Sequence, residues 1–388
     1  MNESPRSEED VLVVDAARTG IGKFLGAQKD RSALDLGVAA LAGVLARSGV
    51  RPEQVDQVIM GNARGAGLGP NPARQVAVRA KIPHERPAYT VNQACASGLR
   101  ALILGAEQIR LGEADLVAVG GTESMSNVPF LLPRFRAGYV QGDAEVVDAM
   151  YKDGFLCPMA KKVMGATAET LADRLVIARE EQDAFAAESQ RRCETARKDG
   201  RFAGELLENE KDECPRDGIT AEKLAKLPPV FKKTGSVSAG NSSGIADGAA
   251  FALLARRKTA EKLGLPVLAR FEASATVGVD PEVMGIGPVP AVKKLLEKTG
   301  RALSDFDLVE LNEAFAAQVL ACLKDLPIDR ARLNVWGGSI ALGHPIGCTG
   351  TRIVATLLQQ MKQREARLGL ATLCVSGGLG VAASFERE

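Results

Sequence analysis

Seven cysteines and two histidines are scattered over a chain of 388 residues, and three of these nine side chains stand in stretches made of small residues. In "VNQACASGLRAL" (91–102), Cys95 precedes Leu99, Leu102, Ile103, Ala106 and Ile109 at helical spacing, so a helix begins near residue 96 with the thiol at its start. Unpaired N–H groups and the positive end of the helix dipole at that position favour thiolate over thiol. Ala94, Ala96, Ser97 and Gly98 leave room for a substrate, although an inert buried cysteine has the same local surroundings. A nucleophilic cysteine needs a base. His84, in "KIPHERP", reads as a solvated loop, whereas His344, in "GGSIALGHPIGCTGTR", lies in a glycine-dense turn that admits close ligand approach. Cys374, in "LATLCVSGGLG", ends an apolar strand, where it either packs or reacts. Asn312, in "LNEAF", stands at another strand end, the place where loops of α/β proteins meet ligands, and its amide could orient water, polarise a carbonyl or cap the turn.

The elements that must position these groups recur. "VLVVDAA" (11–17) reads as a buried strand, "SALDLGVAALAGVLARSG" (32–49) as a helix between an N-cap at Ser32 and a stop at Gly49, and "VDQVIMGN" (55–62) as the next strand. The same grammar returns from residue 267: a strand, a helix over 290–300 closed by Gly300, and a strand running into a loop over 306–315. The offset is about 251 residues. Farther on, 96–121 is answered by 348–378, with Gly98 over Gly350 and Arg100 over Arg352. Two duplicated halves of alternating strand and helix predict a layered α/β architecture. By this overlay the His344 loop is the counterpart of the Cys95 loop, so two pseudo-symmetric loops could share one site. Residues 122–249 have no counterpart and include a charged helical stretch over 169–200 and a polar one over 208–220. They read as a large insertion, either a surface embellishment or a ligand cover.

Composition narrows the function classes. The 49 basic and 48 acidic residues leave no global field that would attract nucleic acid or an anionic membrane surface. The odd, dispersed cysteines form neither a disulfide framework nor a metal pattern, which points to a reducing compartment and no metal. The start, "MNESPRSEED", lacks the plan of a signal peptide, and no apolar run approaches a membrane span, so the expected location is the cytoplasm.

Eight blocks in order, "GNARGAGLGPNPARQVA", "NQACASGLRAL", "GGTESMSNVP", "SAGNSSGIADGAA", "MGIGPVPA", "LNEAFAAQ", "GGSIALGHPIGCTGTR" and "CVSGGLG", resemble the thiolase family from about residue 10 to the end. The resemblance implies an α/β/α/β/α five-layered sandwich of two similar five-stranded halves, 1–121 (completed by part of 245–265) and 250–388, with an inserted loop domain at 122–249 covering coenzyme A. It implies Cys95 as acyl acceptor, His344 as its base and Cys374 as the acid–base that works on the methyl group of acetyl-CoA. His344 and a water on Asn312 would serve one oxyanion, and the N–H groups of Cys95 and Ser376 the other. Arg216 would lie beside the adenine, Leu227, Phe231, Ala239 and Ser243 along the nucleotide and pantetheine arm, and Met164 and Ala314 at the pantetheine or acyl end. No tightly bound cofactor is implied, with coenzyme A and acetyl-CoA as substrates.

The implied activity is acetyl-CoA C-acetyltransferase, with a broader-chain degradative 3-ketoacyl-CoA thiolase of β-oxidation as the alternative, working as a homodimer or homotetramer. A decarboxylating ketosynthase would use further histidine or asparagine in place of the second cysteine, and a non-catalytic acyl-CoA-binding protein would be expected to have lost some of the trio. Three positions depart from the family pattern. Ser376 stands where glycine is frequent and would strain a left-handed backbone; Val163 stands where many short-chain members have histidine; Lys223 stands near the adenine where serine is frequent.

Overall fold

The computed structural model describes residues 7–388. Nine strands form one continuous sheet: β1 (Val11–Arg18), β2 (Gln57–Gly61), β3 (Ala88–Val91), β4 (Leu116–Ser124), β5 (Ala246–Arg256), β6 (Ala269–Gly278), β7 (Leu308–Leu311), β8 (Leu368–Val375) and β9 (Leu379–Glu386), with Gly22–Lys23 adding a short pairing to β5. The order is β7-β8-β9-β6-β1-β5-β4-β2-β3. The first half is therefore β3-β2-β4-β5-β1, and the second repeats it outward from the join as β6-β9-β8-β7. Its fifth position is a single parallel bridge from Leu333 to Val309. The halves meet where β1 and β6 pair antiparallel at Leu12 with Arg270 and Val13 with Ala269. Residues 250–256 lie within β5, inside the first half's sheet, paired to β1 and β4.

Strand alternation divides the interior into three cores, and these define five layers. Leu12, Val58 and Leu116 face an outer core completed by α1 (Ala33–Ser48) and α2 (Pro72–Arg79). Their neighbours Val13, Ile59 and Val117 face a central core with α3 (Ser97–Arg110) and α8 (Ile346–Gln363), which also receives Leu373 and Phe385 from the second half. Ala275, Leu370 and Ala382 face the third core, under α6 (Pro288–Thr299) and α7 (Ala316–Asp325).

Local chemistry sets the helix ends. Ser32 and Asp35 exchange hydrogen bonds in a capping box at the start of α1, and Gly49, at φ 73°, ends it. The charged helical stretch over 169–200 lies in two helices, α4 (Met164–Leu175) and α5 (Arg179–Lys198). The break is a left-handed Val176, which faces solvent so that Ile177 can turn inward, and the Glu181 carboxylate accepts the Ala178 N–H to start α5. Arg18 pins the insertion to β1: its Nε donates to Glu205 at 2.6 Å and its two Nη atoms to Asp212 at 2.6 and 2.9 Å, all out of water.

The two central helices touch at their first turns. A Cβ on Gly98 would stand 2.8 Å from the Thr351 N, and one on Gly350 2.2 Å from the Leu99 N. The duplicated glycines thus let backbone meet backbone. Glu123, at the end of β4, spans the same junction: its carboxylate accepts the N–H groups of Ala63, Arg64 and Gly347 and the Asn62 amide at 2.9–3.1 Å, tying the loop after β2 to the start of α8. Because the neighbour at Gly350 is backbone and cannot swing aside, Gly350→Ala should destabilise the fold by at least about 1–3 kcal/mol. A lowered urea midpoint with unchanged slope checks this; an unchanged midpoint would mean that the helices part at no cost.

Candidate active site

A cavity of about 260 Å³ opens where the helix starts meet, and Cys95, His344, Cys374 and Ser376 all line it. Cys95 sits in a single 3-10 turn, Ala94–Ala96, that leads into α3. Ala94 holds φ 45°, a left-handed angle costly for a residue with a Cβ, and the Ser97 hydroxyl braces it by donating to the Ala94 carbonyl at 2.7 Å while accepting the Gln93 N–H at 2.9 Å. The bend turns the half-buried sulfur into the cavity. Burial pushes the Cys95 thiol up; the Arg64 charge and the N–H groups of Ser376 and Cys95 itself pull the other way without overcoming it. The local groups at the helix start thus act in the expected direction, but desolvation outweighs them and favours the thiol in the free protein. Cys374 closes β8 fully buried, and its thiol is pushed up by burial and by the proximity of Cys95.

His344 lies two residues before α8 and is 8% exposed. The Thr349 hydroxyl donates to the Pro345 carbonyl at 2.9 Å, which leaves its oxygen to accept Nδ1–H of His344 at 2.6 Å. That assignment leaves Nε2 as the bare nitrogen, and Nε2 has no partner. Burial, aided by Arg352 and Arg64, pushes the imidazole down to about 3, so it is neutral at physiological pH. A neutral thiol and an uncommitted imidazole nitrogen thus share one water-poor cavity with a second thiol, a set able to pass protons and carry an acyl group.

Asn312 follows β7, buried behind the cavity wall rather than on it. Its Oδ1 accepts from Ser339 Oγ at 2.6 Å, itself held by Arg352, and its Nδ2 is a buried donor without a partner, as a site for a bound water or carbonyl requires. Ser376 does not carry the left-handed angle expected to strain it; Gly377 and Gly378, at φ 90° and 87°, do.

Four of the residues expected along coenzyme A line the cavity: Met164, Phe231, Ser243 and Ala314. The Ser243 hydroxyl and N–H both donate to the Ala314 carbonyl at 3.0 Å. The Phe231 ring lies over Gly165, where a Cβ would stand 2.1 Å from it, and meets Phe315 edge-on. Val163 also lies on the wall. The cavity does not extend to Arg216, Leu227 or Ala239: Arg216 and Ala239 are exposed, and Leu227 is half-buried against the third core. Lys223 is exposed too and donates to the Gly218 carbonyl. His84 is in an exposed turn. Arg64, Glu123 and Thr349 are functional neighbours that pattern reading left unassigned; each lies inside a quoted block, yet only the fold aims them at the site.

Duplicated α/β halves in five layers, with two cysteines and a histidine at their junction, are the thiolase type of acyltransferase. The thiolase N-terminal domain family matches residues 11–258 and the thiolase C-terminal domain family residues 265–387. An acetyl-CoA acetyltransferase of Allochromatium vinosum is 48% identical over 98% of this chain and 99% of its own, and one of Pseudomonas aeruginosa is 48% identical over 98% and 100%. The crystal structure of the Bacillus anthracis acetyl-CoA acetyltransferase superposes with a TM-score of 0.95 at 42% identity, covering 98% of this chain and 99% of that one. Human mitochondrial 3-ketoacyl-CoA thiolase also gives 0.95, at 40% identity over 98% and 100%. The chain belongs to the thiolase family.

A thiol raised by burial beside a neutral imidazole has a defined pH signature: the thiolate fraction grows only as pH passes the elevated thiol value. Iodoacetamide labelling of Cys95 in the free protein, followed by peptide mass spectrometry, should keep accelerating beyond the ordinary cysteine value of about 8.5. A rate plateau across pH 5–8 would instead reveal a preformed thiolate–imidazolium pair.

Proposed function

We propose that the protein catalyses reversible acyl transfer between acyl-CoA and acetyl-CoA, condensing two acetyl-CoA molecules or cleaving a 3-ketoacyl-CoA with coenzyme A, with acetyl-CoA C-acetyltransferase as its main activity. The observation that carries this reading is the convergence of Cys95, the bare Nε2 of His344 and Cys374 on one cavity.

In the direction of condensation, Nε2 accepts the Cys95 proton as sulfur attacks the thioester carbonyl. The C–S bond to coenzyme A breaks, the departing thiolate takes the Cys374 proton, and the acyl group stays on Cys95 while Nε2 keeps its proton. The Cys374 thiolate so formed removes a proton from the methyl group of acetyl-CoA, and the resulting carbanion attacks the acyl-cysteine carbonyl, releasing Cys95 as a thiolate that takes the proton back from Nε2. Cleavage runs the same steps backwards. The N–H groups of Cys95 and Ser376 act on the acyl-enzyme oxyanion, and His344 with the Nδ2 of Asn312 on the substrate thioester oxygen; removing one such donor costs on the order of 10²–10³ in rate.

The nucleotide end of coenzyme A extends past the cavity over the insertion, toward Arg216, Leu227 and Ala239, and the 122–249 segment covers it. The apolar wall, including Val163, supports the second reading of a broader-chain degradative thiolase in fatty-acid oxidation. Among the described residues no helix is long and apolar enough to cross a membrane. A cytoplasmic homodimer or homotetramer completes the proposal.

Coenzyme A-dependent cleavage of 3-ketoacyl-CoAs from four carbons upward tests the reading. Activity should peak on acetoacetyl-CoA, fall by at least about 10³-fold in Cys95→Ala and by about 10²–10⁴-fold in His344→Ala. Peak activity on longer chains favours the degradative reading, and turnover that survives Cys95→Ala sinks the mechanism.

A further inference from the structure

Among the described residues Arg64 is the sole charged one lining the Cys95 cavity, whose other walls are largely apolar: Phe155, Met164, Phe231 and Ile346 among them. It is 7% exposed. Its guanidinium makes one hydrogen bond, from Nη1 to the neighbouring Ala63 carbonyl at 3.2 Å, while Nε has no partner. No carboxylate among the described residues stands within ion-pair distance of it. Glu123 carries the nearby opposite charge, but its oxygens are taken by the N–H groups of Ala63, Arg64 and Gly347 and by Asn62. A buried cation with donors to spare is expensive unless something completes it.

The surroundings are shaped to keep it. A Cβ at position 154 would stand 2.1 Å from Nη2 and 2.3 Å from Cζ and Nε, so the guanidinium lies flat over the bare backbone of Gly154. Arg64 also lines a second cavity of about 240 Å³, with Asn92, Val128 and Asp153. A two-carbon acyl group has nothing to offer these donors.

We propose that, among acyl chains longer than two carbons, Arg64 makes this cavity favour those that end in a carboxylate, held by the planar fork of the guanidinium. Such a pair is charge-assisted, two-pronged and shielded from water, which a methyl-terminated chain of equal length cannot match. The inference rests on the thiolase reading above and names its substrate class.

The test compares kcat/KM for thiolysis of 3-oxoadipyl-CoA and 3-oxohexanoyl-CoA, chains that differ only in a terminal carboxylate against a methyl group, with acetoacetyl-CoA as reference. The native protein should favour the carboxylate chain by about ten- to a hundredfold. Arg64→Leu should lower that ratio at least tenfold, chiefly by raising KM for the carboxylate chain. Arg64→Lys, which keeps charge but loses the fork, should lower it less, and carries the test if the leucine variant fails to fold. A native ratio near one, or a ratio unmoved by either substitution, overturns the proposal. So does an equal loss of kcat on both chains with Cys95 labelling displaced to higher pH, which would assign Arg64 to the thiolate. Acetoacetyl-CoA turnover without discrimination sinks this inference alone; absence of all thiolysis removes the thiolase reading with it.

Discussion

Two reactive side chains borne at the starts of different helices can share a cavity only if those helices touch at the first turn. Here that contact is made by backbone, where Gly98 and Gly350 leave no Cβ between α3 and α8. Much else follows from this approach. Cys95 sits one turn before α3 and His344 two residues before α8, so bringing the helix starts together brings sulfur and imidazole to one space. The sheets must then flank the helix pair on both sides, and their inward faces supply the single central core that both halves share.

Polar groups lock the junction where packing alone would allow sliding. Glu123 sends a carboxylate from the first half into N–H groups of both halves, and the donors converging on it oppose, without overcoming, the burial that pushes its carboxyl up. Ala94 is held at a left-handed angle by Ser97 from within its own turn. The backbone strain at the thiol is thus supported locally, while the orientation between thiol and imidazole is supported across the molecule.

Burial then decides the resting chemistry. The same dry cavity pushes both thiols up and the imidazole down, leaving every titratable member of the trio uncharged. Charge appears only when a substrate brings an electrophile for sulfur to attack. Against this neutral background the Arg64 guanidinium is conspicuous, since an apolar wall magnifies what one fixed charge does to a ligand.

The amino-acid pattern determined a great deal by itself: the capped α1 between Ser32 and Gly49, the duplicated order of strands and helices, the large insertion, and the two cysteines and histidine that meet at the cavity, because each of these depends on local periodicity or on scarce residue types. The helical character of 169–200 was legible too, but not its break at Val176, where the chain turns left-handed and Ile177 is buried. The helix start that favours thiolate at Cys95 is visible in sequence, but the desolvation that outweighs it, imposed by residues tens to hundreds of positions away, is not. Tertiary structure alone decided the tautomer of His344 through Thr349, moved the left-handed strain from Ser376 to the glycines after it, left Asn312 behind the wall with an open donor, and laid Arg64 on Gly154. These are relations between distant segments in a shared low-dielectric space, and no spacing along the chain encodes them.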